Sequence, residues 1–528
     1  MSATDVDNQY SLLAEPIERV HVGIGPLSVD QVVAVARQGA IVDIDEEAKL
    51  AVAASRETID FLAADSTPHY GISTGFGALA NTFIENDLRT QLQRSLIRSH
   101  AAGSGTEVER EAIRSMMVLR ISTLLTGRTG IRLTTVETYV GMLNAGITPI
   151  VREYGSLGCS GDLAPLSHCA LALMGEGTVR DASGTAMPAS EALAAAGLEP
   201  VLLAEKEGLA LVNGTDGMLG QLCLAIHDLR ILMTTADISA AMSIEALMGT
   251  DAVFAADLIA IRPQLGQATS AANLRQLLAD SPIVKSHAGP EHTVVQDAYS
   301  LRCAPQVHGA ARDILDYATL IADRELASAV DNPVVTIDGR VESNGNFHGA
   351  PVAYVLDFLA IAIADVASMS ERRTDRMLDP SRSHGLPAFL AHDAGVDSGL
   401  MIAQYTAAGI VSTMKRLAAP ASVDSIPSSA MQEDHVSMGW SGARKLLTAV
   451  DAFSRVLAIE ILTAARALDL RAPLEAGPAT GAVLAYLRKE VPGPGPDRFL
   501  SPEIEYIADA VRSGGVRDAG TARIGRLA

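Results

Sequence analysis

Asp216 to Met248, DGMLGQLCLAIHDLRILMTTADISAAMSIEALM, contains no proline and is bracketed by Asn213-Gly214-Thr215 before it and Gly249 after it. A pattern of this length without a breaker reads as one long helix. Comparable runs cover about Val307 to Ala329, Pro351 to Met377 and Gly442 to Leu468. Four helices of roughly 22 to 33 residues would each span about 30 to 50 Å at 1.5 Å per residue. Long helices that are apolar and uncapped in their middles predict a bundle core. Composition agrees, because hydrophobic residues make up 48% of the chain and aromatic residues only 4%. Ala, Leu and Val supply most of that mass, which favours close helix packing over a sheet sandwich. The expected fold is mainly α, a large single-chain bundle of long central helices with a smaller N-terminal region carrying loops.

The flanking sequence supplies shorter elements. Residues 1–20 are acidic and aperiodic and read as a loose tail. Ser28-Val29-Asp30-Gln31 has the form of a capping box, as does Thr134-Thr135-Val136-Glu137, whose helix should end at Gly146. Helices are expected from Asp45 to before Thr67-Pro68, from Asp87 to Ala101, and from Val108 to Leu125, closed by Gly127. Gly175 to Gly184 carries a hairpin signal, and Val491 to Pro496 a turn before a short C-terminal helix. With no internal repeat and no linker composition, residues 21–215 and 216–528 are read as two regions of one integrated unit.

With 41 basic and 62 acidic residues in 528, the formal charge is −21. That balance argues against nucleic acid and anionic membrane as partners. The N-terminus lacks the basic and apolar regions of a signal peptide. The longest apolar-looking stretch without charge, Ser398 to Met414, falls short of the roughly 18 to 20 residues of a membrane span. A cytoplasmic protein is expected. Cys159, Cys169, Cys223 and Cys303 show neither zinc spacing nor a disulfide framework, and His287 with His292 lacks the further ligands a metal needs.

A second stretch carries the chemistry: Gly155-Ser156-Leu157-Gly158-Cys159-Ser160-Gly161-Asp162-Leu163-Ala164-Pro165-Leu166-Ser167-His168. Three glycines in seven residues relax the backbone and permit chain to approach chain closely. Asp162 is placed to cap the following helix, whose first turn tolerates Pro165. Such an N-terminus beside a turn is electropositive. Polar clusters interrupt the apolar pattern elsewhere. They are Tyr70-Gly71-Ile72-Ser73-Thr74-Gly75-Phe76-Gly77, Ser99-His100, Asn213-Gly214, Gln296 to Arg302, Asp331-Asn332-Pro333, Ser343 to His348, and Gln432-Glu433-Asp434-His435. Singly, each is ordinary core-edge or surface chemistry.

Jointly, these motifs resemble the ammonia-lyase family that acts on histidine, phenylalanine and tyrosine, over about residues 22–515. The resemblance implies that Cys159, Ser160 and Gly161 cyclise with loss of water to the electrophile 4-methylidene-imidazol-5-one, with no external cofactor. The commoner first residue is Ala, and only its backbone enters the ring, so Cys159 leaves the chemistry intact. Breaking an amino acid's C–N bond needs such an electrophile, because no side chain is strong enough and no pyridoxal-type lysine motif is present. Amide donors at the helix start would stabilise charge developing on the ring. By the same resemblance Tyr70 and Tyr299 are the two candidates for the β-proton base, and Arg302 pairs with the substrate carboxylate. Asn213 lies beside the prosthetic group, and Gln296, Asn344 and Phe347 line the site.

Specificity falls to Ser99-His100 and Glu433. Within the family a Ser-His pair at that position tracks histidine, where Phe-Leu tracks phenylalanine and His-Leu tyrosine. An imidazole offers a donor and an acceptor that His100 and Glu433 can satisfy. An aryl ring would leave those groups unpaired, at about 1–3 kcal/mol each. The expected reaction is elimination of ammonia from L-histidine to give trans-urocanate, in a homotetramer whose active sites are shared between subunits. A tyrosine or phenylalanine lyase or aminomutase, and a catalytically silent helical scaffold, are the alternatives.

Overall fold

The computed structural model describes residues 17–65, 67–75, 77–79, 81–289 and 295–528. Most of the expected tail, Phe76 and His292 lie outside them. The four expected long helices are Asp216–Ala246, Ala304–Leu326, Ala350–Leu378 and Gly439–Asp469. Helices dominate throughout, and strands are confined to four small sheets.

The first long helix ends slightly before the glycine expected to stop it. Met248 takes the left-handed conformation (φ 54°), and the Gly249 N–H donates to Ile244 O at 2.8 Å while the Met248 N–H donates to Glu245 O at 3.0 Å. This is the paired closure of a Schellman turn with glycine one residue beyond its usual place.

Contacts divide the chain into two compact units. The first comprises residues 1–224, 320–354 and 421–444, the second 225–319, 355–420 and 445–528.

All four sheets belong to the first unit. Arg19–Val22 pairs parallel with Ile41–Ile44, and Ser104–Glu107 pairs antiparallel with Arg152–Tyr154. The Ser28 capping box forms: Ser28 Oγ accepts from Gln31 N at 3.2 Å and Gln31 Oε1 accepts from Ser28 N at 2.8 Å. The Thr134 box does not. Its helix, Leu133–Asn144, starts two residues earlier with Arg132 at the cap. The cause is buried Glu207, which accepts from Thr135 Oγ1 at 2.8 Å and from Arg132 Nη2 at 2.6 Å. The hairpin is shifted, pairing Thr178–Arg180 with Ala186–Pro188 around a turn that Asp181 closes.

Described residues of the second unit are helix and loop. Its interior holds charge. Glu460, fully buried, receives both arms of the Arg373 guanidinium, one at 3.0 Å, and the hydroxyls of Ser370 at 2.6 Å, Ser243 at 2.7 Å and Ser239 at 3.0 Å. Asp237 is held the same way by His308, Arg312, Ser270 and Asn273. Burial alone would raise the Asp237 carboxyl, but Arg312, His308 and Ser270 outweigh it and hold it well below the usual range.

One helix among the described residues, Ala350–Leu378, is long and apolar enough by length and composition to cross a membrane. The share of its apolar window buried in the protein is 61%.

Removing one partner of a buried ion pair strands the other charge, which costs about 3–5 kcal/mol. Arg373→Ala is therefore expected to destabilise the protein by about that amount in urea denaturation. Arg373→Met combined with Glu460→Leu should recover most of the loss, because no uncompensated charge remains.

Candidate active site

The glycine loop is built around a contact that only glycine permits. Gly161 has φ 78°, and a Cβ on it would sit 2.0 Å from Gly214 O and 2.3 Å from its carbonyl carbon. The Gly161 and Gly214 strands of chain form a parallel bridge, and the Asp162 N–H donates to Gly214 O at 2.7 Å. Gly158 is equally constrained, since its φ is 66° and a Cβ would meet Ser437 Oγ at 2.2 Å. Ser156 folds the loop inward, its Oγ accepting from Gly158 N at 3.2 Å and donating to Asp162 Oδ1 at 2.8 Å.

Asp162 stands at the N-cap position of the helix Leu163–Leu173, but its side chain makes no capping bond. It reaches instead to the start of Asp216–Ala246, where Oδ2 accepts from Met218 N at 2.8 Å. The capping expectation fails because this second helix start supplies the better donor. Burial pushes the Asp162 carboxyl up to about 7, against the opposing pull of the Met218 and Ser156 donors.

The Gly214 segment is fixed from behind by Arg120, which is fully buried. Its Nη1 donates to Asn213 O at 2.7 Å, its Nη2 to Val330 O at 3.0 Å, and its Nε lies 3.3 Å from Asp216 Oδ2. Asn213 donates through Nδ2 to Asn332 O at 2.9 Å, and its buried Oδ1 has no hydrogen-bond partner among the described residues. Asn344 continues the network, donating to Asp331 O at 2.9 Å and accepting at Oδ1 from Asn346 N at 2.9 Å. Buried Lys206 pairs with the Asp331 carboxylate at 2.5 Å. Every link carries a backbone or charged partner, so the wall is rigid.

This wall faces a cavity of about 760 Å³. Of the residues singled out in the sequence, Tyr70, Cys159, Ser160, Asn344, Phe347 and Glu433 line it. Gly161 and Asn213 lie beside that lining, in the bridge and its support. Asn332, His348, Gln432 and His435 also line it. They stand inside or next to motifs already noted, and adjacency was the only sequence signal for them.

Glu433 is the hub of the cavity's electrostatics. Ser160 Oγ donates to its Oε1 at 3.5 Å and Ser428 Oγ to its Oε2 at 3.1 Å. Of the four residues between Ser428 and Glu433, Ser429, Ala430 and Met431 have positive φ (52°, 52° and 68°). Left-handed backbone costs about 1–2 kcal/mol per residue with a Cβ. Such strain is held only where surroundings over-determine the turn. The Tyr70 hydroxyl accepts from Gly77 N at 3.3 Å. Burial raises the Tyr70 pKa above the usual phenol value, the Gly77 N–H offsets part of this, and the charges of Glu433 and Asp331 push it further up. The Cys159 thiol is pushed up to about 12, by burial first and Glu433 second, so it stays protonated.

His100 is the last residue of the helix Arg89–His100. Burial lowers its imidazole pKa, while the Leu96 carbonyl and the Glu433 charge pull it partly back. Ser99 Oγ donates to Leu96 O at 3.0 Å and lies 3.0 Å from His100 Nδ1. Gln296, Tyr299 and Arg302 belong to the second unit. There the Arg302 guanidinium lies 4.7 Å from the Tyr299 ring centroid, and its buried Nε has no hydrogen-bond partner among the described residues.

Fold and cavity together describe a mainly helical protein with Ser160, in a glycine-cradled turn, on the cavity wall beside Glu433. The aromatic amino acid lyase family model matches residues 27–489. Histidine ammonia-lyase from Streptomyces avermitilis is 61% identical over 510 residues, covering 96% of this chain and 99% of that one. Histidine ammonia-lyase from Streptomyces griseus is 62% identical, covering 94% and 97%. Among solved structures, histidine ammonia-lyase from Trypanosoma cruzi superposes with a TM-score of 0.89 at 39% identity, covering 96% of both chains. Tyrosine aminomutase from Streptomyces globisporus does so with 0.91 at 36% identity, covering 97% of this chain and 100% of that one. The chain belongs to the aromatic amino acid lyase family.

Two outcomes follow from the geometry. Gly161→Ala is expected to cost more than about 2 kcal/mol in thermal or urea unfolding, from positive φ and the clash with Gly214 together. Asp162 binds a proton more tightly folded than unfolded, where its pKa is about 3.9. Its contribution to stability is therefore highest at acid pH and is lost as pH rises from about 4 to about 7. Across that window urea titrations should show stability falling more steeply, or rising less, with pH in the native chain than in Asp162→Asn.

Proposed function

We propose that this chain removes ammonia from L-histidine to give trans-urocanate, the opening step of histidine breakdown. The observation that carries the reading is Glu433, a carboxylate 3.5 Å from Ser160 Oγ and close enough to His100 to shift it. Glu433 offers a polar partner for an imidazole ring beside Ser160, and His100, outside the cavity lining, feels the Glu433 charge. A phenyl ring there would leave the carboxylate unpaired, at about 1–3 kcal/mol.

The loop fits formation of 4-methylidene-imidazol-5-one from Cys159, Ser160 and Gly161. A residue with a Cβ at 161 would be expelled by Gly214, whereas glycine lets its own nitrogen turn back toward the Cys159 carbonyl. When present, that group supplies the electrophile that makes ammonia a competent leaving group. The chain's own residues do the rest. Asn213, with a spare buried acceptor, supports the turn. Phe347 and Asn344 shape the cavity wall. Tyr70 is positioned to take the β-proton. Its phenol is held up by burial and by neighbouring anions, so a cationic substrate ammonium entering the cavity would bring it back toward a working range. Arg302, whose buried Nε has no hydrogen-bond partner among the described residues, is the candidate for the substrate carboxylate, Tyr299 beside it the second acid–base candidate, and Gln296 a further substrate-contact candidate.

A homotetramer with shared sites is part of the same reading. In its support, Tyr354, Phe358 and Ile361 recur at helical spacing on Ala350–Leu378 and are 49%, 41% and 46% exposed. Ile402 and Tyr405 of the helix Met401–Leu417 are likewise exposed. Apolar stripes of this kind are covered by partners in stable assemblies. No nucleic acid or membrane enters the account. A cytoplasmic location is part of the same reading.

The purified protein is expected to convert L-histidine steadily to urocanate, followed by ultraviolet absorbance, with no comparable turnover of tyrosine or phenylalanine. Equal turnover of an aryl substrate would overturn the specificity reading. Ser160→Ala should abolish turnover with helical content unchanged by circular dichroism. Glu433→Ala should lower histidine turnover at least about a hundredfold, as loss of a charged partner allows, while leaving the unfolding midpoint nearly in place.

A further inference from the structure

The turn that carries Glu433 is closed by an exchange of backbone bonds. Ser428 N donates to Glu433 O at 3.0 Å, and Glu433 N donates to Ser428 O at 3.4 Å. This is an isolated antiparallel bridge. Residues directly opposite in such a pair project their side chains on the same side. The Ser428 hydroxyl is thereby delivered to one oxygen of the Glu433 carboxylate, Oε2, at 3.1 Å. The other oxygen, Oε1, is left facing Ser160 Oγ at 3.5 Å.

A glutamate side chain has three rotatable torsions and would otherwise sample many placements. Here one carboxylate oxygen is tethered and the second is aimed at the reactive loop. Three consecutive non-glycine residues, Ser429 to Met431, accept left-handed backbone to make the tether possible. The 3-10 turn Gly77–Leu79, next to Tyr70 in the chain, packs on Ser429–Met431.

We propose that Ser428 is a positioning residue: its hydroxyl holds Glu433 so that Oε1 meets the ring N–H of the substrate imidazole. This rests on the reading of Glu433 as a contact for the substrate ring, and makes a separate claim about what fixes that contact. Ser428 touches no substrate, so its effect should follow the ring and spare the amino acid half.

Two competitive inhibitors separate the halves. Imidazole carries the ring without the amino acid, and glycine carries the amino acid without the ring. In the active enzyme Ser428→Ala is expected to raise the imidazole inhibition constant and the histidine KM about tenfold, the loss of one charge-assisted hydrogen bond. The glycine constant should stay within about twofold, a change worth no more than about 0.4 kcal/mol. Ser428→Thr keeps the hydroxyl and should restore imidazole binding. Glu433→Gln serves as the control. If it leaves the imidazole constant unchanged, the reading of Glu433 fails. If it weakens imidazole but Ser428→Ala does not, that reading stands and the role of Ser428 is overturned. Parallel weakening of imidazole and glycine by Ser428→Ala, or failure of threonine to rescue, would mean general collapse of the turn and would also overturn it.

Discussion

Two backbones meet at Gly161 and Gly214 with no room for a single additional carbon. An added Cβ would lie 2.0 Å from the Gly214 oxygen, a distance that no rotamer or small shift can relieve. The rest of the site is arranged to hold that contact. Arg120 fixes the Gly214 side through the carbonyls of Asn213 and Val330. Asp162 ties the Gly161 side to the start of the helix Asp216–Ala246. Burying Arg120 is offset by its several backbone acceptors, whereas burial of Asp162 outweighs its donors and raises its carboxyl pKa.

In the proposed reaction the ring-forming loop depends on this close contact, and the substrate ring is met by a different device. Glu433 is placed by its own strained turn and not by the glycine loop. It biases the cavity toward negative charge, raising Tyr70 and Cys159 and opposing the fall of His100. In the proposed reaction one loop supplies the electrophile, and a separate turn carries the carboxylate offered to the substrate ring. Separate control of this kind fits a family whose solved structures include a histidine lyase and a tyrosine aminomutase on one fold.

The long helices were legible because their signal is local and repeated. Asp216–Ala246 and Ala350–Leu378 each match the apolar run that announced them. The cavity wall was legible as motifs, since Tyr70, Ser160, Asn344 and Glu433 each sit in a polar interruption of an apolar pattern. Other features depended on partners distant in sequence. The Thr134 box is pre-empted by Glu207, and Asp162 leaves its cap for Met218 N. Ser428 had no signal at all, because its role exists only once the turn folds it onto Glu433. Spacing reports what a residue can do, and competition among distant donors decides what it does.

The central proposal is that the Cys159-Ser160-Gly161 backbone, held at the Gly161–Gly214 contact, closes into a ring. Closing the Gly161 nitrogen onto the Cys159 carbonyl expels one water, and dehydrating the Ser160 side chain expels a second. Mass spectrometry of the intact protein, and of the proteolytic fragment spanning Gly155 to His168, measures this directly. The account predicts a mass lower than the encoded one by two waters, localised to that fragment and absent from Ser160→Ala. A folded, histidine-processing protein with the full encoded mass would contradict it.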